Sequence, residues 1–285
     1  MLRQLTLICL VLTLTACPGR AMNAAAKNVA EGLNRAIINQ NDIITVRDGL
    51  PTYLLVVDGL IESNPDNVDL LMAGTRLYSM YAGSFVADPV RAQRLAARGH
   101  QYGRRLLCME LEDLCEAARP GEPFDTFMEE LKETDTEHVP VLYTAASAWA
   151  GLIRANSGDW NAIADLPKIQ AMMERVIKLD ESYDHGNAHL YLGVLATQLP
   201  PDLGGRPEDG REHFERAIQL SDGRNLIAKV LYARHYARLV FDRELHDRLL
   251  REVQGAPAEV DGLTLSNTLA KQEAERLLSD ADDYF

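Results

Sequence analysis

The chain of 285 residues is poor in aromatics, at 6%, and has only 4 cysteines. Alternating apolar–polar runs are nearly absent, which excludes a fold built on half-buried strands. The longest apolar run at the amino terminus, Leu5 to Leu14, is too short to span a bilayer comfortably. Basic residues are in deficit: 29 Lys and Arg stand against 42 Asp and Glu, a net charge of −13. That balance excludes a general nucleic-acid binder. No glycine-rich phosphate loop, His-Glu-x-x-His or Gly-x-Ser-x-Gly occurs, so the sequence offers no catalytic residue and calls for no cofactor. Paired carboxylates are too common in a chain this acidic to suggest a glycosidase.

What remains is a chain that is 47% hydrophobic, with apolar residues at helical spacing between Pro- and Gly-containing turns. The pattern predicts an all-α fold of antiparallel helix pairs. A loosely patterned helix is expected over Asn28 to Thr45. A second should start at Pro51, a favourable first-turn position, and stop at Ser63 to Asn67. Further helices are expected over Leu70 to Phe85, from Asp88-Pro89 past Leu107, Phe124 to Leu131, Val139 to Ala155, Leu166 to Leu179 and Asn187 to Gln198. Leu199 to Arg206 reads as a loop ahead of a helix that ends at Leu220. The clearest hairpin follows. Asn225 suits a cap, Leu226, Val230, Ala233, Ala237 and Val240 form one face, and Asp242 caps the next helix. Leu263 to Leu278 is the last helix and is expected to cover the open end of the stack.

The amino terminus reads as an address. Met1-Leu2-Arg3 is a short positive start, and Leu14-Thr15-Ala16-Cys17 resembles the lipobox of bacterial lipoproteins. The resemblance implies cleavage after residue 16, lipidation of Cys17 and a tether over residues 17–26. Residues 27–285 are then expected to form a single helical domain. Pro18, rather than Asp, after Cys17 is compatible with sorting to the periplasmic face of the outer membrane. Several acyl chains on one residue would hold the protein there stably.

Internal similarity supports helix pairs. Glu174-Arg175-Val176-Ile177 and Glu215-Arg216-Ala217-Ile218 are near copies, 41 residues apart. The tetratricopeptide period is about 34 residues, and the surplus falls in Pro200 to Arg206. His189-x2-Leu192-Gly193 and Gly210-x3-Phe214-x2-Ala217 fit the motif's two helices. Leu71-x2-Gly74-Thr75-x2-Tyr78 is a weaker match. A single pair cannot bury its apolar faces alone, which favours a tetratricopeptide-like stack. An irregular helical globule is the alternative.

Several stretches together resemble the TatT family, the T subunits associated with TRAP transporters. They are Gly49-Leu50-Pro51 through Asn67, Trp149-Ala150-Gly151 with Asp165-Leu166-Pro167, and Gly186 through Gly193. Gly204-Gly205-Arg206-Pro207 and Gly223 through Leu250 complete the set. The resemblance implies a lipoprotein that forms trimers and engages a periplasmic TRAP solute-binding protein. It also implies passage of a small ligand, an organic acid or a hydrophobic molecule, through a channel in each subunit. A tetratricopeptide scaffold for envelope assembly, with no small ligand, is the alternative. An enzyme would need a concave polar site that the sequence does not display.

Three groups of residues are candidates. Between Gly223 and Arg251 seven basic residues face three acidic ones, against the trend of the chain. Arg224, Lys229, Arg234, His235 and Arg238 form either a surface for a carboxylate ligand or acidic partner, or a solvated face tied by ion pairs. Tyr143, Trp149 and Tyr191 either line a channel or belong to the core. Cys108 and Cys115 form an even pair in an oxidising compartment. On one straight helix their Cα atoms would be about 10 Å apart, so a disulfide requires the helix to end between them, near Glu112-Asp113. Asp184, His185 and His189 lack a fixed third ligand, and no metal site is expected. The mature mass tests the address: a triacylated Cys17 with residues 1–16 removed is expected, and an unmodified Cys17 contradicts it.

Overall fold

The computed structural model describes residues 32–285. The leader, the lipobox, the tether and residues 28–31 of the first expected helix lie outside the described residues. Every regular element described is a helix, as expected. Residues 32–38 are helical, and α1 follows over Ile43–Ser63. This differs from the expected pair, a helix through Thr45 and another starting at Pro51. The chain breaks at 39–42, where the Asp42 carboxylate accepts from the Ile44 and Thr45 amides and caps α1. Pro51 then lies inside α1. An interior proline forfeits one backbone hydrogen bond. The buried stripe of Val46, Leu50, Leu54, Val57 and Ile61 runs on both sides of it and outweighs that loss.

The remaining helices begin mostly where the sequence places a cap. Asn67 accepts from the Leu70 amide at the start of α2 (Val68–Ser84), and Asp88 from the Arg91 amide at α3 (Pro89–Glu110). Then come α4 (Glu112–Ala117), α5 (Phe124–Lys132), α6 (Val139–Ala155), α7 (Trp160–Ile163), α8 (Leu166–Leu179), α9 (Asn187–Ala196) and α10 (Pro207–Leu220). Next, α11 (Leu226–Leu231) passes into a π-helical turn, Tyr232–Ala237. Asp242 caps α12 (Arg243–Gly255), and α13 (Thr264–Ser279) is the last long helix.

Neighbouring helices run antiparallel. Gly186 lies against Leu220, Gly193 against Phe214 and Gly210 against Thr197, so α9 and α10 ascend in opposite directions. The approach is close. A Cβ on Gly193 would lie 2.8 Å from the fully buried Phe214 ring. The expected motif glycines, Gly193 and Gly210, therefore mark backbone contact. In the same way α2 and α3 meet at Gly74 with Tyr102 and at Gly99 with Ser79. Their tyrosines converge: Tyr78 and Tyr102 both donate to the Asp58 carboxylate of α1, at 2.7 Å each.

The apolar faces bury into two clusters. One runs from Ile37 through α1–α9 to Leu265, and the other joins Leu190 to α10–α13. Both draw on α9 and α13, which link them. Within the second, α13 supplies a cap that the sequence assigned to Asn225. The Asn225 side chain turns away and donates to Asn187 Oδ1 at 2.7 Å. The Leu226 amide is taken instead by Asn267 Oδ1, at 2.9 Å. Asn267 is wholly buried, and its Nδ2 donates to the Arg224 and Ala258 carbonyls. The following loop closes the chain on itself. Asn39 bonds Asp261 and the Gly262 amide, and Asn41 bonds Glu259.

The α3–α4 corner carries a disulfide. Leu111, at φ −143° and ψ 69°, ends α3, and Cys108 and Cys115 are bonded with Cα atoms 4.9 Å apart. The helix end thus lies one residue before the expected Glu112-Asp113. Replacing Asn267 by Ala strands the Leu226 amide and two carbonyls. Urea denaturation should show a loss of about 2–3 kcal/mol, and an unchanged midpoint would contradict the cap.

Candidate functional site

The site is organised by α6, whose sequence is almost uncharged: Arg154 is its one charged residue. Tyr143, Ser147 and Arg154 recur at helical spacing and share a face, which looks toward α2, α9 and the turn at Tyr183–Gly186. That turn is unusual. Asp184 and His185 hold φ values of 49° and 60° and Gly186 follows at 74°, so three successive residues are left-handed. The sharp reversal sets Tyr183 beside Tyr143, with ring centroids 5.4 Å apart and edge to face. Tyr191 of α9 meets Tyr143 from the other side at 6.1 Å, again edge to face.

Two arginines flank this aromatic wall. Arg76 of α2 donates to Thr144 Oγ1 at 3.2 Å and to the Tyr183 hydroxyl at 3.0 Å. Arg154 lies about 15 Å along α6 from Thr144 by helical rise, and a Cβ on Gly83 would collide with its guanidinium. Neither has a carboxylate partner within ion-pair distance among the described residues. Burial raises the Tyr143 hydroxyl well above its ordinary pKa, reinforced by the charge of Asp184. Burial also raises Tyr191 and Tyr183, with the Arg76 charge opposing it at Tyr183. All three phenols stay neutral at physiological pH. Ser147 Oγ sits close to Tyr143 and Tyr191, buried and without a hydrogen-bond partner. Neutral phenols donate hydrogen bonds and unpaired guanidiniums attract anions. This arrangement suits holding a ligand; it contains no nucleophile paired with a base.

The structure brings together Tyr143 and Tyr191 of the sequence candidates, and sets Trp149 apart. Trp149 lies on another face of α6, with its ring centroid 5.7 Å from that of His100 on α3. Arg76, Tyr183 and Arg154 were not among the sequence candidates. A usable signal existed for the arginines, since each is the one cation of its helix.

The basic island is distributed into ion pairs. Lys229 pairs with Glu252 at 2.6 Å, Arg234 with Glu273 at 3.2 Å and Arg224 with Asp222 at 3.4 Å. Arg243 pairs with Asp282 and Asp247, and Arg251 pairs with Asp247. Arg238 instead covers the Tyr284 ring at 4.5 Å, and its Nε is buried without a partner. Burial pushes the His235 imidazole down to about 4, helped by Arg234. The π-helical turn places the Tyr232 and Tyr236 hydroxyls on Glu215 and Glu208 of α10, at 2.9 and 3.0 Å.

His189 and His213 serve packing. His189 Nδ1 meets His213 Nδ1 at 2.8 Å, and His189 Nε2 meets Glu181 at 3.2 Å. Arg216 holds that glutamate's carboxyl down to about 2. His185 and Asp184 stay out of this contact, so the three residues considered for a metal do not converge. Asp135, Glu137 and His138 are the one group of metal-type donors close enough to share an ion among the described residues. Two of them make a local cap, where Asp135 accepts from the Glu137 amide and His138 Nδ1 accepts from the Asp135 amide.

The sequence matches the TRAP transporter T-component family over residues 39–285. That is most of the chain, and the protein belongs to this family. An uncharacterized protein of Treponema pallidum (strain Nichols) is 25% identical over 276 residues, covering 88% of this chain and 83% of that protein. No helix among the described residues is long and apolar enough to cross a membrane.

Acid should destabilise the fold through its buried imidazoles. His100 and His235 are both held near 4, below the ordinary value of about 6.5. The unfolded chain therefore takes up these protons first. Stability is full above pH 6.5 and falls as the pH drops toward 4. Denaturation across this window should show the fall, and His100→Gln should flatten it.

Proposed function

We propose that this chain is a lipoprotein, anchored through Cys17 to the periplasmic face of the outer membrane, that docks the solute-binding protein of a TRAP system. It holds or relays a small organic acid or hydrophobic ligand on the tyrosine wall. Family membership supports the link to TRAP transport. The observation that carries the ligand role is the pair of arginines, Arg76 and Arg154, flanking Tyr143, Tyr183 and Tyr191 without carboxylate partners. An elongated anion laid along α6 would meet a guanidinium near each end and phenol donors between. The stack of antiparallel helix pairs suits a tetratricopeptide-like surface for a partner protein, and assembly into a trimer follows the family resemblance.

The basic island has a smaller part in this reading. Ion pairing leaves Arg238, just after the π-helical turn, without a carboxylate, and its guanidinium is covered by Tyr284. Lys229, Arg234 and His235 then position α11 against α12 and α13 more than they attract a ligand.

The test is a pull-down from solubilised membranes with the full lipidated chain, followed by mass spectrometry of proteins and small molecules. A periplasmic solute-binding protein and a small anion are expected together. Arg76→Gln with Arg154→Gln should lower anion retention at least tenfold, about 1.4 kcal/mol or more, with docking unchanged. Recovery of envelope-assembly proteins alone would favour the scaffold role.

A further inference from the structure

Behind Trp149, on a different face of α6 from the tyrosines, the packing is incomplete. A cavity of about 180 Å³ opens between α3, α4, the loop after α4, α6 and the start of α8. His100, Arg104, Cys115, Trp149, Ile153 and Asp165 are among its walls, and most of the rest is carbon. An apolar cavity of roughly 150 Å³ accepts benzene, so this one matches a single ring or a short branched chain with one substituent.

The rim is clamped. Lys168 is only 7% exposed, and its ammonium donates to the Ala118 and Arg119 carbonyls at 3.1 and 3.2 Å. The Cys108–Cys115 disulfide ties the same corner to α3. The loop that borders the cavity is thus held where it leaves α4. Preorganisation of this kind lowers the cost of binding.

The polar groups are asymmetric. His100 Nδ1 is buried and has no hydrogen-bond partner. The imidazole is neutral, because burial and then Arg104 push it down to about 4. Asp165 lies 3.6 Å from the Lys168 ammonium, and Arg119 pairs with Glu116 at 2.8 Å. Arg104 is exposed and joins no ion pair among the described residues. The unbalanced charge of the cavity is positive.

We propose that this cavity binds a compact monocarboxylate whose body is a single ring or a short branched chain. The body packs on Trp149 and Ile153, and the carboxylate lies at Arg104. This site is separate from the tyrosine wall and rests on no part of the transport reading.

The protein carries its own reporter, because it has 2 tryptophans. Trp160 is 82% exposed and lies outside the cavity wall, so Trp160→Phe leaves Trp149 as the single fluorophore. Titration of the full chain with 4-bromobenzoate should give saturable quenching, displaced by benzoate and by isovalerate. Arg104→Gln should weaken benzoate at least tenfold and change benzyl alcohol less than twofold. Ala162→Phe, which fills the wall, should abolish binding of both. Absence of saturable quenching in the unfilled, folded protein overturns the site. Equal affinity for benzyl alcohol and benzoate overturns the assignment of a carboxylate. Quenching is read on the isolated chain, so failure to capture a solute-binding protein leaves this result unaffected.

Discussion

The buried side-chain amide of Asn267 is the contact on which the arrangement of the C-terminal half depends. It accepts the first amide of α11 and donates to carbonyls on either side of the α11–α12 hairpin, at Arg224 and Ala258. A helix start buried without a partner is costly, and Asn225, the residue in the cap position, is committed to Asn187. One amide on α13 thereby sets where α11 begins, where the loop before α13 runs and how α13 lies against both. The loop in turn receives Asn39 and Asn41 from the other end of the chain. It also passes the Tyr183–Gly186 turn, since a Cβ on Gly262 would lie 3.9 Å from His185 Nε2. The loop placed by the cap therefore borders the turn that carries Tyr183.

A second constraint is the side-chain economy of α6. Its alanines allow close approach by α3: a Cβ on Gly103 would lie 3.5 Å from both the Ala145 Cα and the Ala148 Cβ. That closeness lets one helix border both the tyrosine wall and the cavity beside α3. Tyr143, Ser147 and Arg154 face α2 and α9, and Trp149 and Ile153 face the cavity beside α3. Substitution of an α6 alanine by a large residue would disturb both, which ties the two sites to one element.

Much of the fold was legible, because helix starts are local chemistry. Asn67, Asp88-Pro89 and Asp242 lie at the starts of α2, α3 and α12. The start of α1 was misread at Pro51, because a proline is a strong local mark and the apolar stripe through it is a longer-range one. The cap from Asn267 comes 41 residues after the amide it serves, beyond any local rule. The aromatic wall was half legible. Tyr143 and Tyr191 stand out by residue type, but Arg76 joins the wall only through packing, across separations of 68 residues to Thr144 and 107 to Tyr183. The excess positive charge of the basic island was correctly counted in its own stretch. Partners for Lys229, Arg234 and Arg243 come from Glu252, Glu273 and Asp282, so a local count could not register them.

The bonds from Asn39 and Asn41 to the loop at residues 259–262 span more than 200 positions of sequence, with separations of 222 and 218. Their location gives the fold a mechanical property. Tension applied to the chain on its amino-terminal side meets these bonds before it reaches α1, and is shared with the loop, Asn267 and α13. A pull that would peel a terminal helix from an open stack is instead borne as shear across a closed one.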